Sequence, residues 1–415
     1  LFAVFLQAMA SRCLEEHVMN APSIKPTPQT EGAGMSRGLV LLLAAATGLS
    51  VGTQYYNQPL LGLIADGFGI GTQVSLVAIA TQIGYALGLI LLVPLGDKLD
   101  RRRLILFQCV GLTVATLCAS VAPELYSLAM ASIMIGVFAT IAQQIIPLAS
   151  ELSPASSRER VLASITSALL VGVLLARVIA GFVGACFSWR AMFLVGAALS
   201  LMMLAGLALK LPPSQPQSRA SYIELLVSLF EVVRDGAELR KASLVQSLVF
   251  FGFSAFWTIL TLLLQSPAFG LSSGTAGLFG VVALVGVMLA PPGLRLAGQY
   301  AGHVGIGLVV ASFFVMIAFV NLVGLGVGAI LMTTGLQMSL IYNQSRILAL
   351  AGTARGRFNT IFMASQFAFG AAGSAAGSLG WQSGGWTAVM AMALIASATA
   401  LLVQFIHHSK AGAQA

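Results

Sequence analysis

The residues of this chain that could do chemistry are few, and they fall into charges at the ends of apolar runs and amides within them. Asp97, Asp100, Arg101 and Arg102 form the densest charged group. A carboxylate at a helix end can pair with guanidinium groups or cap a neighbouring helix N-terminus. The group is therefore expected to gate: it would hold one end of a helical assembly shut in one state and release it in another. The plainer reading of the arginines is topological, since clustered basic residues fix a loop on one side of a bilayer. A second centre is the run Gln54, Tyr55, Tyr56, Asn57, Gln58, the most polar stretch inside any long apolar segment. Pro59 follows it and implies a helix break that frees backbone carbonyls. Tyr56 and Asn57 are the expected lining of a pathway mouth; the competing role is an interfacial aromatic belt with helix–helix hydrogen bonds. Arg177 lies midway along another apolar run. An unpaired arginine there is costly by at least ~2.5 kcal/mol, so it is expected to anchor an anion or a carbonyl, the alternative being a structural partner on a neighbouring helix. Gln82 and Trp257 add a buried amide and an aromatic surface, each of which also serves as ordinary packing.

Composition says what must position these groups. The 415 residues are 58% hydrophobic and 8% charged, too little charge to wet the surface of a soluble globule. Lipid tails remove that need, and 44 glycines suit close packing of membrane helices. The net charge of +8 sits in short clusters between apolar runs rather than along one face, which argues against nucleic acid. The four cysteines are scattered, with no paired spacing for a disulfide framework or zinc site. There is no metal-ligand cluster, catalytic triad pattern or phosphate-binding glycine loop, so neither an enzyme nor a cofactor is expected.

The hydrophobic pattern predicts an all-α membrane protein with twelve transmembrane helices: 38–62, 73–95, 104–122, 125–149, 161–185, 190–210, 243–265, 275–296, 303–321, 323–345, 359–380 and 386–406. Spans nine and ten are nearly continuous and divide near Asn321. Lys98, Arg101, Arg102, Arg103, Arg158, Arg160, Lys210, Arg219, Arg234, Arg240, Lys241, Arg346, Arg355, Arg357 and Lys410 all follow even-numbered spans, whereas the opposite loops hold Arg190. Both termini are accordingly expected in the cytoplasm of a bacterial inner membrane. The domain plan is an extension over 1–36 with the working start near Met35, a six-helix bundle over 37–211, a linker over 212–241, a second bundle over 242–406 and a tail over 407–415. Leu225, Leu226, Leu229 and Val232 recur in the linker at helical spacing and predict an amphipathic surface helix.

The halves echo one another. Ser188-Trp189-Arg190-Ala191 and Gly385-Trp386-Thr387-Ala388, and Arg158-Glu159-Arg160 and Arg355-Gly356-Arg357, share an offset of about 200 residues. Two pseudo-symmetric six-helix bundles would place a solute site between them near mid-bilayer. Pro94-Leu95-Gly96-Asp97-Lys98-Leu99-Asp100-Arg101-Arg102-Arg103 resembles the loop signature of the major facilitator superfamily, with Val93 and Asp100 where that signature has glycines. Tyr55-Tyr56-Asn57-Gln58-Pro59-Leu60-Leu61 looks like a branch of bacterial efflux carriers, and the likeness covers 37–406. In the second half Gly298 stands where the aspartate would fall. The resemblance implies a monomeric secondary carrier that exports a small organic solute by alternating access, coupled to protons, with spans one, four, seven and ten lining the path. That adds Gln143, Gln144 and Gln337 to the candidate solute ligands. Proton coupling needs a titratable group on the path; the carboxylates lie at span ends and the histidines at termini or in loops, leaving Asp66 as the candidate. A non-transporting sensor or scaffold, or a decayed carrier, is the alternative.

Overall fold

The computed structural model describes residues 35–214 and 220–412. The N-terminal extension expected over 1–36 therefore lies almost wholly outside the described residues, as does Arg219 of the linker. The described chain is all helical: α1 (Arg37–Thr53), α2 (Asn57–Phe68), α3 (Ser75–Leu91), α4 (Leu95–Lys98), α5 (Arg101–Ser120), α6 (Leu125–Phe138), α7 (Ile141–Leu152), α8 (Arg158–Cys186), α9 (Trp189–Lys210), α10 (Tyr222–Asp235), α11 (Ala237–Gln265), α12 (Ser273–Ala297), α13 (Ala301–Ala318), α14 (Leu322–Leu350) and α15 (Arg355–Gly412). Among the described residues ten stretches are long and apolar enough to cross a bilayer, which makes this a multi-pass membrane protein. Two of them, Ser273–Ala318 and Arg355–Ile406, run to 46 and 52 residues. The first is interrupted at Gly298 and the second kinks at Gly384 and Gly385.

Local signals set most boundaries. Ser36, Asp100, Ser188 and Asn321 each accept a hydrogen bond from a backbone N–H of the helix they cap. Asn321 is thus the divider that the near-continuous apolar run concealed. The linker helix α10 opens with a reciprocal Ser221–Glu224 capping box. Pro147, Pro291 and Pro292 lie inside helices rather than ending them; packed neighbours can satisfy the carbonyls a proline frees in a membrane protein.

Packing is close where glycines meet. A Cβ on Gly172 would stand 2.2 Å from the Gly48 carbonyl oxygen, and one on Gly84 would stand 2.1 Å from that of Ile133. These contacts bind α1 to α8 and α3 to α6 at backbone distance. Helices before the linker meet those after it along α3 against α15, α8 against α12 and α2 against α11. Leu229 of α10 is buried, and Val232 packs on a small cluster of Leu239, Ala242, Ile347 and Phe362. The Tyr222 hydroxyl donates to the Leu91 carbonyl at 2.8 Å, so α10 touches helices on both sides of itself in the sequence.

Candidate functional site

The first spanning stretch is broken where Pro59 implied it. α1 ends at Thr53 and α2 begins at Asn57, with a turn between them. The break turns Gln54, Tyr55, Asn57 and Gln58 toward a small void of about 10 Å³, which they line with Ala78, Gln82, Phe250, Phe253, Ser254 and Phe367. That volume is room for about one water. The lining comes from helices on both sides of the linker.

Hydrogen bonds tie those helices together around the void. Gln82 Nε2 donates to Ser374 Oγ at 2.8 Å, while its Oε1 accepts from Ser254 Oγ at 3.1 Å. Thr258 Oγ1 donates to the same Ser374 Oγ at 2.9 Å. Thr261 Oγ1 donates to the Gln58 carbonyl at 2.9 Å, and Asn57 Nδ2 to Thr81 Oγ1 at 2.7 Å. Arg177 is 4% exposed. Its Nε donates to Gln58 Oε1 at 2.9 Å. Its guanidinium carbon lies 4.3 Å from the Tyr55 ring centre and 4.4 Å from that of Trp257, which lies beyond the linker. Such contacts offset part of the cost of the buried charge. Arg177 Nη2, Trp257 Nε1 and Asn57 Oδ1 are buried without partners, and Gln54 lies beside the Tyr85 hydroxyl.

The predicted solute ligands separate on this map. Asn57 and Gln82 line the void, and Arg177 and Trp257 stand behind its wall, with Arg177 held to Gln58 and Tyr55 and Trp257 packed on Arg177. Tyr56 does neither. It is 3% exposed and packs on Gly196, where a Cβ would stand 2.9 Å from its ring. Five consecutive residues circle a helix, and the break rotates Tyr55, rather than Tyr56, onto Arg177. Gln144 is also displaced: its Nε2 donates to the Leu92 and Val93 carbonyls at 2.9 and 3.3 Å. It braces the end of α3 before Pro94, and its donors are spent on backbone. Gln143 is half-buried beside the Tyr85 hydroxyl. Gln337 is half-buried on α14 and is not part of the void's lining. Asp66 is exposed at the far end of α2. His303, expected in a loop or terminus, sits instead within α13, 8% exposed, its ring 4.7 Å from that of Phe405.

The charged group gathers at the end of the bundle that carries the basic residues. Arg101 is 5% exposed, with Nη2 3.0 Å from Asp97 Oδ1, Nη1 on Glu151 and Nε donating to the Gly96 carbonyl at 3.0 Å. Glu151 was not among the sequence candidates. Arg102 Nη2 donates to the Ala208 carbonyl at 2.7 Å. Asp100 caps α5 and holds the linker, accepting from the Arg102 and Ser214 amides at 2.9 and 3.0 Å and from Ser214 Oγ at 3.2 Å. Burial pushes its carboxyl up, but those hydrogen bonds and the Arg103 charge outweigh it and hold it below the usual carboxylate value. The named partners of Arg101 and Arg102 all lie on helices before the linker.

Ser254, Thr258, Thr261 and Ser374, which join the helices around the void, were not legible as site residues. Small hydroxyls are common in membrane helices, and only the fold shows that these four face one another.

Secondary transporters hold their solute between helices of the two halves near mid-bilayer, and the polar seam here joins helices before and after the linker. The chain belongs to the Major Facilitator Superfamily, whose family model matches residues 43–354. It is 34% identical over 378 residues to the uncharacterized transporter YgaY of Escherichia coli O157:H7, covering 90% of this chain and 95% of that one. It is 33% identical to the probable transporter SCO4007 of Streptomyces coelicolor, covering 90% of each. The fold matches that of the nucleoside transporter NupG with a TM-score of 0.68 over 89% of this chain and 99% of that chain, at 14% identity. The protein is thus a secondary transporter of this superfamily, not an enzyme, and moves a solute across a membrane.

Proposed function

We propose that the seam around Gln58, Gln82, Arg177 and Trp257 is the solute site of an exporter of small organic compounds that works by alternating access between two six-helix bundles. In this reading the ten long stretches resolve into twelve spans, with Gly298 and Gly384–Gly385 as the two extra turns. Residues 37–211 and 242–406 form the bundles, and α10 is a tether on the cytoplasmic side. Both termini are cytoplasmic, and the carrier works as a monomer. The observation that carries the reading is Arg177, a buried cation held by an amide from its own half and by a ring from each half.

Contacts between the halves favour a state closed on the outer side. Ser378 and Gln382 bond Thr72, and Ser273 Oγ donates to the Gly181 carbonyl at 3.3 Å, all on the end away from the basic residues. Residues 167–174 of α8, toward the basic end, are half-exposed. In the alternate state Asp97, Asp100, Arg101 and Arg102 would brace the cytoplasmic end. The proton coupling implied by the resemblance finds no support at Asp66, which is exposed and remote from the seam.

The test is flux in proteoliposomes combined with cysteine accessibility. Cysteines placed at Tyr55 and Gln143 should be protected from a water-soluble maleimide by transported solute. Protection that never changes with any solute would reject the site.

A further inference from the structure

The buried groups at the seam are unbalanced in charge and in hydrogen-bonding sense. Arg177 brings a full positive charge into a region where no carboxylate or imidazole lines the void. Among the described residues the acidic side chains stand away from the void: Asp66 and Glu124 at one side, Asp97, Asp100, Glu151, Glu159 and Glu238 at the basic side, and Glu224, Glu231 and Asp235 on the linker helix α10. Two buried donors lack acceptors: Arg177 Nη2 and Trp257 Nε1. Against them stands one unpaired acceptor at the void, Asn57 Oδ1. Arg177 and Trp257 are in contact with each other and are 4% and 3% exposed.

A guanidinium with its Nε used and an Nη unused is built to take an oxyanion. The surroundings are rings: Tyr55 and Trp257 at the guanidinium, and Phe250, Phe253 and Phe367 around the void. A single fixed charge matches a single negative charge, and rings match a flat apolar body, for which the void of about 10 Å³ must widen as the helices around it part. A lone charge in the bilayer interior is costly, and a bound anion removes it. In the proposed cycle the anion neutralises the guanidinium most strongly in the occluded state between the two end states, so it lowers the barrier and the loaded carrier reorients more easily than the empty one. We propose that the solute is an organic monoanion, a carboxylate or sulfonate with a ring-bearing body, and that the carrier runs as an electroneutral anion exchanger with Arg177 as its fixed counter-charge. One anion leaves and another enters, so charge balances without a proton. The proposal rests on the seam being the solute site.

The test uses benzenesulfonate, which stays anionic at any working pH, and benzenesulfonamide, its neutral counterpart. Proteoliposomes holding the full chain are loaded with unlabelled benzenesulfonate, and entry of labelled benzenesulfonate is followed. Entry should be about tenfold or more faster than into vesicles loaded with benzenesulfonamide, and an imposed pH gradient should not be required. Arg177→Gln should lose tenfold or more, the worth of a charge-assisted hydrogen bond, with Arg177→Lys between the two. Trp257→Phe keeps a ring, loses the Nε1 donor and should slow exchange severalfold while unfolding at the same temperature. That variant guards against Arg177→Gln failing to fold. Equal entry with a neutral interior, equal transport of benzenesulfonamide, or no exchange of benzenesulfonate by folded protein would each overturn anion exchange. If Arg177→Gln and Trp257→Phe carried both probes at the wild-type rate, the seam itself would be the wrong site.

Discussion

Arg101 and Arg177 are equally buried, at 5% and 4% exposed, yet their surroundings differ in kind. Arg101 meets two carboxylates, Asp97 and Glu151, and a backbone carbonyl, all on helices before the linker. Arg177 meets one amide and two rings, one of them from beyond the linker, and keeps an Nη2 donor unused. The first is neutralised within one part of the chain and can travel with it as a rigid piece. The second is left short of an acceptor at the place where the two parts meet. A buried charge satisfied by its own protein is a strut; one left unsatisfied at a moving seam is suited to receive a solute.

The widest gap between the two arginines should appear in transport. Arg177→Gln is expected to cut solute flux by about 10- to 100-fold, the worth of a charge-assisted contact, with folding retained. Flux normalised to folded protein measures it; unchanged flux would erase the distinction. Arg101→Ala should act in the opposite way. It strands Asp97 and Glu151, and because those side chains are 48% and 32% exposed the loss is moderated to about 1–3 kcal/mol of stability. A lower melting temperature in detergent and slower turnover from the weakened cytoplasmic brace, with solute affinity kept, are the expected readings.

Neighbouring tyrosines sharpen the contrast. Tyr55→Leu removes a ring from Arg177 and should reduce transport severalfold, whereas Tyr56→Leu leaves a gap against Gly196 and should cost about 2 kcal/mol of stability without changing solute affinity. Thermal unfolding beside a solute titration separates the two. The smallest effect belongs to Asp100. Its carboxyl is held below the usual value, so its stabilising share is present above its unfolded value of about 3.9 and is lost as pH falls through its lower folded value. Asp100→Asn should therefore melt below wild type at pH 7, and the gap should close below about pH 4. A gap that stayed constant across that range would contradict the assignment.

The helical membrane architecture was legible because length and apolarity of a span are local properties. The break before Pro59 and the division at Asn321 were legible for the same reason, one through a missing N–H and the other through a capping side chain. Arg177 was legible from its cost alone. Tyr55 and Tyr56 could not be told apart, because a break resets the helical phase and only packing against Gly196 and Arg177 chooses between them. The placement of Gln144 was hidden for a similar reason: its partners, the Leu92 and Val93 carbonyls, are exposed by a break in a different helix. Ser374 lies 197 residues after Arg177, the same offset as Trp386 after Trp189, and it accepts from Gln82 and Thr258.

Thermal unfolding of purified protein with added anion measures most directly whether Arg177 is held for a solute. Benzenesulfonate should raise the melting temperature of wild type and leave Arg177→Gln unmoved, while benzenesulfonamide moves neither. Stabilisation of both proteins by the neutral compound, or of neither by the anion, would contradict an arginine awaiting its counter-charge.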